Sequence, residues 1–196
     1  MKKEIIGLTG QSGAGKTTVS FIFKQNDFFV INADKIAREL QNEQHTLSLL
    51  SSAFGKEIIT ENNALDRRKL AKIVFSDKNQ LTKLNNIMFP LVTDKINQII
   101  SKTEEDFILL DAPQLYESGA DKLCNTIVAV IASKKKLIER VMERDEISYE
   151  DAEKRLNSQK SEDFFIQNAT YIIKNDTDLE NLIREADNIA KIIKYE

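Results

Sequence analysis

Gly10-Gln11-Ser12-Gly13-Ala14-Gly15-Lys16-Thr17 decides the fold of this 196-residue chain. The apolar run Ile5-Ile6-Gly7-Leu8 precedes it, and Thr18-Val19-Ser20-Phe21-Ile22-Phe23 follows with the character of a helix. The stretch spells G-x-x-x-x-G-K-[ST], a loop whose glycines let backbone N–H groups turn inward around a polyphosphate. Lys16 then reaches the β- and γ-phosphates, and the Thr17 hydroxyl can ligate a bridging Mg²⁺. A helix opening at Gly15 brings the positive end of its dipole to the same place. A glycine-rich turn that binds nothing would fit the short pattern alone, but a strand before it and a helix after it are the context a phosphate loop requires.

Working outward, residues 4 to 9 read as a buried strand and Lys16 to Gln25 as a helix, with a turn at Asn26-Asp27. Phe28-Phe29-Val30-Ile31 is a second strand, so the unit is βαβ with parallel strands and a right-handed crossover. Gly10 and Asp34 then fall at the carboxyl edge of the sheet, where open α/β folds bind ligands. Three more apolar runs continue the sheet: Phe107-Ile108-Leu109-Leu110, closed by Asp111-Ala112-Pro113; Thr126 to Ala132; and Thr170-Tyr171-Ile172-Ile173. The expected architecture is an α/β P-loop kinase fold, a five-stranded parallel sheet flanked by helices, with a helical insertion and a helical lid.

Between Asp34 and Lys102 helical periodicity replaces β-branched runs. Ile36, Ala37 and Leu40 share a face; Leu47, Leu49, Leu50 and Phe54 lead to a stop at Gly55; Leu70, Ile73, Val74 and Phe75 follow Asp66 as N-cap. Pro90 is expected to kink or divide a helix running from about Gln80 to Ile100. The core is therefore assigned to residues 1–34 and 103–196, with a lid at about 135–165, and residues 35–102 to the insertion. Two polar helices, about Lys134 to Asp145 and Ser148 to Lys160, lie between the last two strands. Thr177-x-x-Glu180 suggests a capping box for the last helix.

The 28 basic and 31 acidic residues give a net charge of −3, so no polyanion binding is expected and nucleic acid is excluded as a partner. Cys124 is the single cysteine, which rules out an internal disulfide and fits a reducing cytoplasm. Its plain reading is a small apolar residue, buried or half-buried. Met1-Lys2-Lys3-Glu4 runs into a strand too short for a secretion signal, and no run is long enough to cross a membrane. His45, the only histidine, has no metal-ligand spacing around it. Oligomeric state is left open.

Asp34, at the end of the second strand, is placed to accept a proton from an attacking hydroxyl, or simply to cap the helix after it. Asp111 is the strand-end acid that holds Mg²⁺ through water, or a turn residue before Pro113. Arg140 and Arg144, four apart, project from one helix face and can neutralise charge on a transferring phosphoryl group. Glu139, Glu143 and Asp145 offer them ordinary surface pairs instead. Arg155 is a weaker candidate of the same kind, and Lys134-Lys135-Lys136 reads as a solvated run.

Taken together the chain resembles the dephospho-CoA kinase family over nearly its full length. The resemblance rests on Ile6-Gly7-Leu8-Thr9-Gly10 with the phosphate loop, on Asn32-Ala33-Asp34-Lys35-Ile36-Ala37-Arg38-Glu39-Leu40, and on Phe54-Gly55, Leu65-Asp66-Arg67-Arg68 with Leu70, and Ile73-Val74-Phe75. Asp111 to Gly119, Arg140 to Asp145, Ala152, Arg155, Gln159 and Asn175 complete it. It implies transfer of the γ-phosphoryl of ATP to the ribose 3′-hydroxyl of dephospho-CoA, with Asp34, Lys16 and Arg140 catalytic. Gly10, Ser12, Gly13, Ala14, Gly15, Lys16, Thr17, Thr18, Arg144 and Asn175 would meet ATP. Asp34, Arg67 and Asp111 would meet the acceptor, and Thr17 and Asp111 the Mg²⁺. The chain departs from the family pattern with Phe89-Pro90 in place of His-Pro, Gln11-Ser12 in place of Gly-Ile, and Lys16-Thr17-Thr18 in place of Lys-Ser-Thr. Another small-molecule P-loop kinase shares these core features; a GTPase-like switch is the alternative from a different class, though no N-K-x-D element is present.

Overall fold

The computed structural model describes residues 3–195; Met1 and Lys2, read above as the lead-in to the first strand, and Glu196 lie outside them. Five strands, β1 (Glu4–Gly10), β2 (Phe29–Asn32), β3 (Phe107–Asp111), β4 (Thr126–Ile131) and β5 (Tyr171–Lys174), form one sheet in the order β2-β3-β1-β4-β5. Every neighbouring pair is parallel. β1, β3 and β4 are interior and buried on both faces, which explains their unbroken apolar sequences.

The chain separates into two compact units. Residues 1–32 and 104–196 make the first, and residues 33–103 the second. The first holds the sheet, α1 (Lys16–Gln25), α6 (Lys134–Asp145), α7 (Tyr149–Asn157), α8 (Glu162–Asn168) and α9 (Leu179–Tyr195). Its main core joins Ile6, Leu8, Phe23, Leu109, Val130, Leu137, Val141 and Ala186, all fully or almost fully buried. Phe23 and Phe107 each meet Phe28 edge-on, closing the end of the core beneath β2. α1 packs against α9, whose apolar positions recur at helical spacing through Leu182, Ala186 and Ala190.

The second unit holds α2 (Ala33–Leu40), α3 (Gln44–Phe54), α4 (Arg67–Ser76) and α5 (Lys78–Lys102), with α5 packed against the other three. Gly55 ends α3 at φ 97°, and Asp66 caps α4 by accepting from the N–H groups of Arg68 and Lys69.

Three local expectations need correction. Pro90 does not divide its helix: α5 runs 25 residues with the proline inside it. The carbonyl of Asn86 loses its usual partner there, but Asn86 and Pro90 are both exposed, so water can take the bond. The helix expected from Ser148 to Lys160 stops at Asn157, where Ser158 ends α7, and α8 is a further helix beyond it, started by Ser161, which accepts from the N–H of Phe164. At α9 the capping side chain is Asp178, which accepts from the N–H of Asn181, so Thr177 does not begin the helix.

Candidate active site

The phosphate loop leaves β1 at Gly10, where φ is 139° and a Cβ would stand 2.0 Å from the carbonyl oxygen of Val130 in β4. Only glycine fits so close to a neighbouring backbone. The loop closes through Ala14 N–H to the Gln11 carbonyl at 3.2 Å, and α1 starts from Gly15, left-handed at φ 105°. Lys16 Nζ lies within the loop, donating to the carbonyls of Gly10 at 2.8 Å and Gln11 at 3.0 Å. Thr17 and Thr18 occupy the first turn of α1, with the Thr17 side chain exposed.

Asp111 closes β3 beside the loop. It pairs in register with Leu8 of β1 on one side and Asn32 of β2 on the other. Only 8% of it is exposed, and its Oδ2 accepts from Asn32 Nδ2 at 3.2 Å. Among the described residues no three His, Cys, Asp or Glu side chains gather to hold a metal, His45 included. A single carboxylate and a threonine hydroxyl are nonetheless hard oxygen donors suited to Mg²⁺, which commonly takes one or two protein ligands and fills its octahedron with phosphate and water. The donor chemistry of Thr17 and Asp111 therefore fits the ion.

On the other side of the loop, Arg140 of α6 donates to the carbonyls of Gly13 at 3.3 Å and Asn175 at 3.2 Å. Asn175 follows β5, is 7% exposed, and donates Nδ2 to the Ala14 carbonyl at 2.8 Å. A Cβ at Gly15 would come 2.7 Å from that same Nδ2, a second reason for glycine at the head of α1. These residues, with Thr18, Thr177, Asp178, Leu179 and Leu182, line a cavity of about 230 Å³.

Arg144, one turn along α6 from Arg140, donates to Ser12 Oγ at 3.1 Å. Its guanidinium also binds both oxygens of Asp145 at 2.8 Å, and Arg155 donates to Asp145 as well. The bonds from Arg144, with the charge of both arginines, hold the Asp145 carboxyl below its ordinary 3.8, at about 2. The surface pair considered from sequence is thus present, but it does not withdraw Arg144 from the loop.

Gln159, in the linker between α7 and α8, accepts the N–H of Ser12 on Oε1 at 2.9 Å. Its place in the family pattern was the only sign of it in the sequence; the contact spans 147 positions, and no local signal foretells it. Thr177, Asp178, Leu179 and Leu182 also line the cavity, and the sequence marks none of them as a ligand contact, the spacing of Thr177 and Glu180 suggesting only a helix cap.

The remaining candidates lie in the second unit. Asp34 sits exposed in the first turn of α2, two residues after Asn32 closes β2. Arg67 opens α4 and donates to the carbonyl of Arg38 at 3.2 Å, in the last turn of α2. Four residues of helix, about 6 Å, separate Arg38 from Asp34. Phe89 is half-buried on α5.

A phosphate loop at the carboxyl end of β1, a strand-end acid one strand away and arginines folded onto the loop, on a five-stranded parallel sheet, define a P-loop kinase. The sequence model of the dephospho-CoA kinase family matches residues 4–181. A dephospho-CoA kinase from Fusobacterium nucleatum is 38% identical over 189 residues, covering 96% of this chain and 98% of the relative. Among solved structures, one from Thermus thermophilus superposes with a TM-score of 0.85 at 28% identity over all of both chains. A dephospho-CoA kinase from Campylobacter jejuni superposes with a TM-score of 0.67 at 26% identity over 97% of each. The chain belongs to the dephospho-CoA kinase family.

Proposed function

We propose that this chain transfers the γ-phosphoryl group of ATP to the ribose 3′-hydroxyl of dephospho-CoA, yielding CoA and ADP in the cytoplasm. The observation that carries the reaction class is the loop itself, with Lys16 inside it and Arg140 and Arg144 bonded to its rim. Family membership carries the acceptor. The loop amides and Lys16 take the phosphates of ATP, and Thr18, Asn175 and the cavity beside Arg140 take its nucleoside end. That cavity suits a purine, since Leu179 and Leu182 offer apolar faces and Arg140 a planar cation.

In the reaction, Asp34 accepts the proton of the 3′-hydroxyl as that oxygen bonds to the γ-phosphorus. The bond from the γ-phosphorus to the β–γ bridging oxygen breaks, and its electron pair leaves on ADP. Lys16, Arg140 and Arg144 stabilise the negative charge spread over the phosphoryl oxygens. Thr17 and Asp111 would hold Mg²⁺, which when bound neutralises charge on the β- and γ-phosphates. Asp111 also borders the acceptor, and Arg67, tied to the end of the helix that carries Asp34, binds its anionic part. Residues 135–165 act as the lid over ATP, and residues 35–102 as the acceptor-binding domain.

A coupled assay of ADP release with ATP, Mg²⁺ and a panel of acceptors tests this reading. Dephospho-CoA is expected to give ADP and CoA in equal amounts. ADP release with a nucleoside or sugar acid, and none above buffer with dephospho-CoA, would reassign the acceptor.

A further inference from the structure

Ser12 is held twice by the segment after β4. Its N–H goes to Gln159 Oε1 at 2.9 Å and its hydroxyl receives Arg144 at 3.1 Å. Gln159 is itself anchored, its own N–H donating to the Leu156 carbonyl at 3.0 Å at the end of α7. Asp145 joins Arg144 of α6 to Arg155 of α7, so the two attachments to Ser12 belong to one linked body.

The choice of glutamine has a chemical logic. A loop N–H bound to a carboxamide is unavailable to a phosphate, so Ser12 serves as an anchor for the loop. The group beside the phosphates must accept a hydrogen bond without carrying negative charge. Lysine or arginine cannot accept, a carboxylate would repel ATP, and asparagine is one methylene short.

We propose that Gln159 is a positioning residue for phosphoryl transfer. By accepting the Ser12 N–H it sets the linker and α7 against the rim of the loop, and so fixes where Arg144, aligned by Asp145, meets the transferring group. This rests on the kinase reading above. ATP in its ground state is held mainly by loop amides and Lys16, whereas Arg144 matters most as charge spreads in the transition state. Loss of the anchor therefore falls on kcat more than on KM.

The test compares wild type, Gln159→Ala and Gln159→Glu by steady-state kinetics, thermal unfolding and NMR exchange of the Ser12 amide. Gln159→Ala is expected to lower kcat by roughly 10–100-fold, the scale of a misplaced group, while KM for ATP stays within about threefold and Tm hardly moves. Its Ser12 amide exchanges faster. Gln159→Glu keeps the acceptor, so Ser12 stays protected and kcat recovers in part, but its charge raises KM for ATP by roughly tenfold, as expected of a carboxylate near phosphates. A kcat for Gln159→Ala within twofold of wild type, or a Gln159→Glu enzyme with the same Ser12 exchange and kinetics as Gln159→Ala, would overturn the proposal. If Gln159→Ala does not fold, Gln159→Glu decides through the split between protected Ser12 and raised KM, either half failing counting against it. Ser12 exchange needs no dephospho-CoA, so a wrong acceptor would show separately, as wild type inactive on dephospho-CoA with the exchange pattern intact.

Discussion

Asn175 donates its side-chain amide to the carbonyl oxygen of Ala14 at 2.8 Å, a buried bond between the residue after β5 and the middle of the phosphate loop. The same residue's N–H goes to the Ile131 carbonyl of β4, and its carbonyl receives Arg140. One residue thus links the end of β4, the phosphate loop and α6. Asn175→Ala leaves the Ala14 carbonyl without its partner and is expected to cost about 1–3 kcal/mol of stability. Asn175→Asp is expected to do more to ATP: it cannot donate to Ala14, and it adds a negative charge beside the phosphates. Chemical denaturation and calorimetric ATP titration check both. Asn175→Asp binding ATP as tightly as Asn175→Ala would remove the electrostatic part of this argument.

Asp34→Asn should separate binding from chemistry. The carboxamide keeps the size of the side chain but cannot take a proton from the acceptor hydroxyl. Turnover is expected to fall by on the order of 10² or more, the scale of a lost general base, with ATP affinity unchanged. Asp34 lies outside the loop and follows β2 by two residues, so nothing in the loop's own hydrogen bonds depends on it. Unchanged turnover would return Asp34 to the role of an ordinary first-turn acid in α2.

Much of the fold was legible because its signals are local. The five strands appear as short apolar runs, and the stop at Gly55 and the cap at Asp66 act within a few residues of themselves. What was not legible depended on which way a group faces or on partners far along the chain. Whether Pro90 divides a helix turns on whether the face that carries Asn86 and Pro90 is open to solvent, which the sequence does not state. The break at Ser158 hides in a polar linker that would pass for helix. In the site, Arg140, Arg144 and Asn175 were named from spacing and resemblance, and they do reach the loop. Their partners Gly13, Ser12 and Ala14 lie more than a hundred positions away, so the pairings required the fold.

Cys124 is expected to be slow to modify. Burial, and then the charge of Asp121, push its thiol from 9.0 up to about 12, and its Sγ donates to the Ala120 carbonyl. At pH 8 a thiol raised from 9.0 to about 12 leaves about 10³-fold less thiolate, the form that reacts. Native protein should therefore react with a disulfide reagent at least roughly 30-fold more slowly than protein unfolded in urea, allowing for the higher nucleophilicity of a more basic thiolate. Equal rates would show Cys124 to be open and its thiol ordinary.

Asp145 predicts a pH dependence of defined sign. Its carboxyl is held at about 2 by hydrogen bonds and charge from Arg144, with the charge of Arg155 added, against 3.8 when free of them. Because the unfolded chain takes up the proton first, the stability owed to this group is intact above pH 3.8 and is lost as pH falls toward 2. Asp145 is half-buried at the protein surface, within reach of solvent and ions, so screening keeps the effect small and salt-sensitive. The difference in unfolding free energy between wild type and Asp145→Asn should be constant at neutral pH and shrink through the acid window. A directly observed carboxyl carbon should titrate with a midpoint near 2. A midpoint close to 3.8 would mean that Asp145 does not hold Arg144 in solution, and that the arginine reaches Ser12 without it.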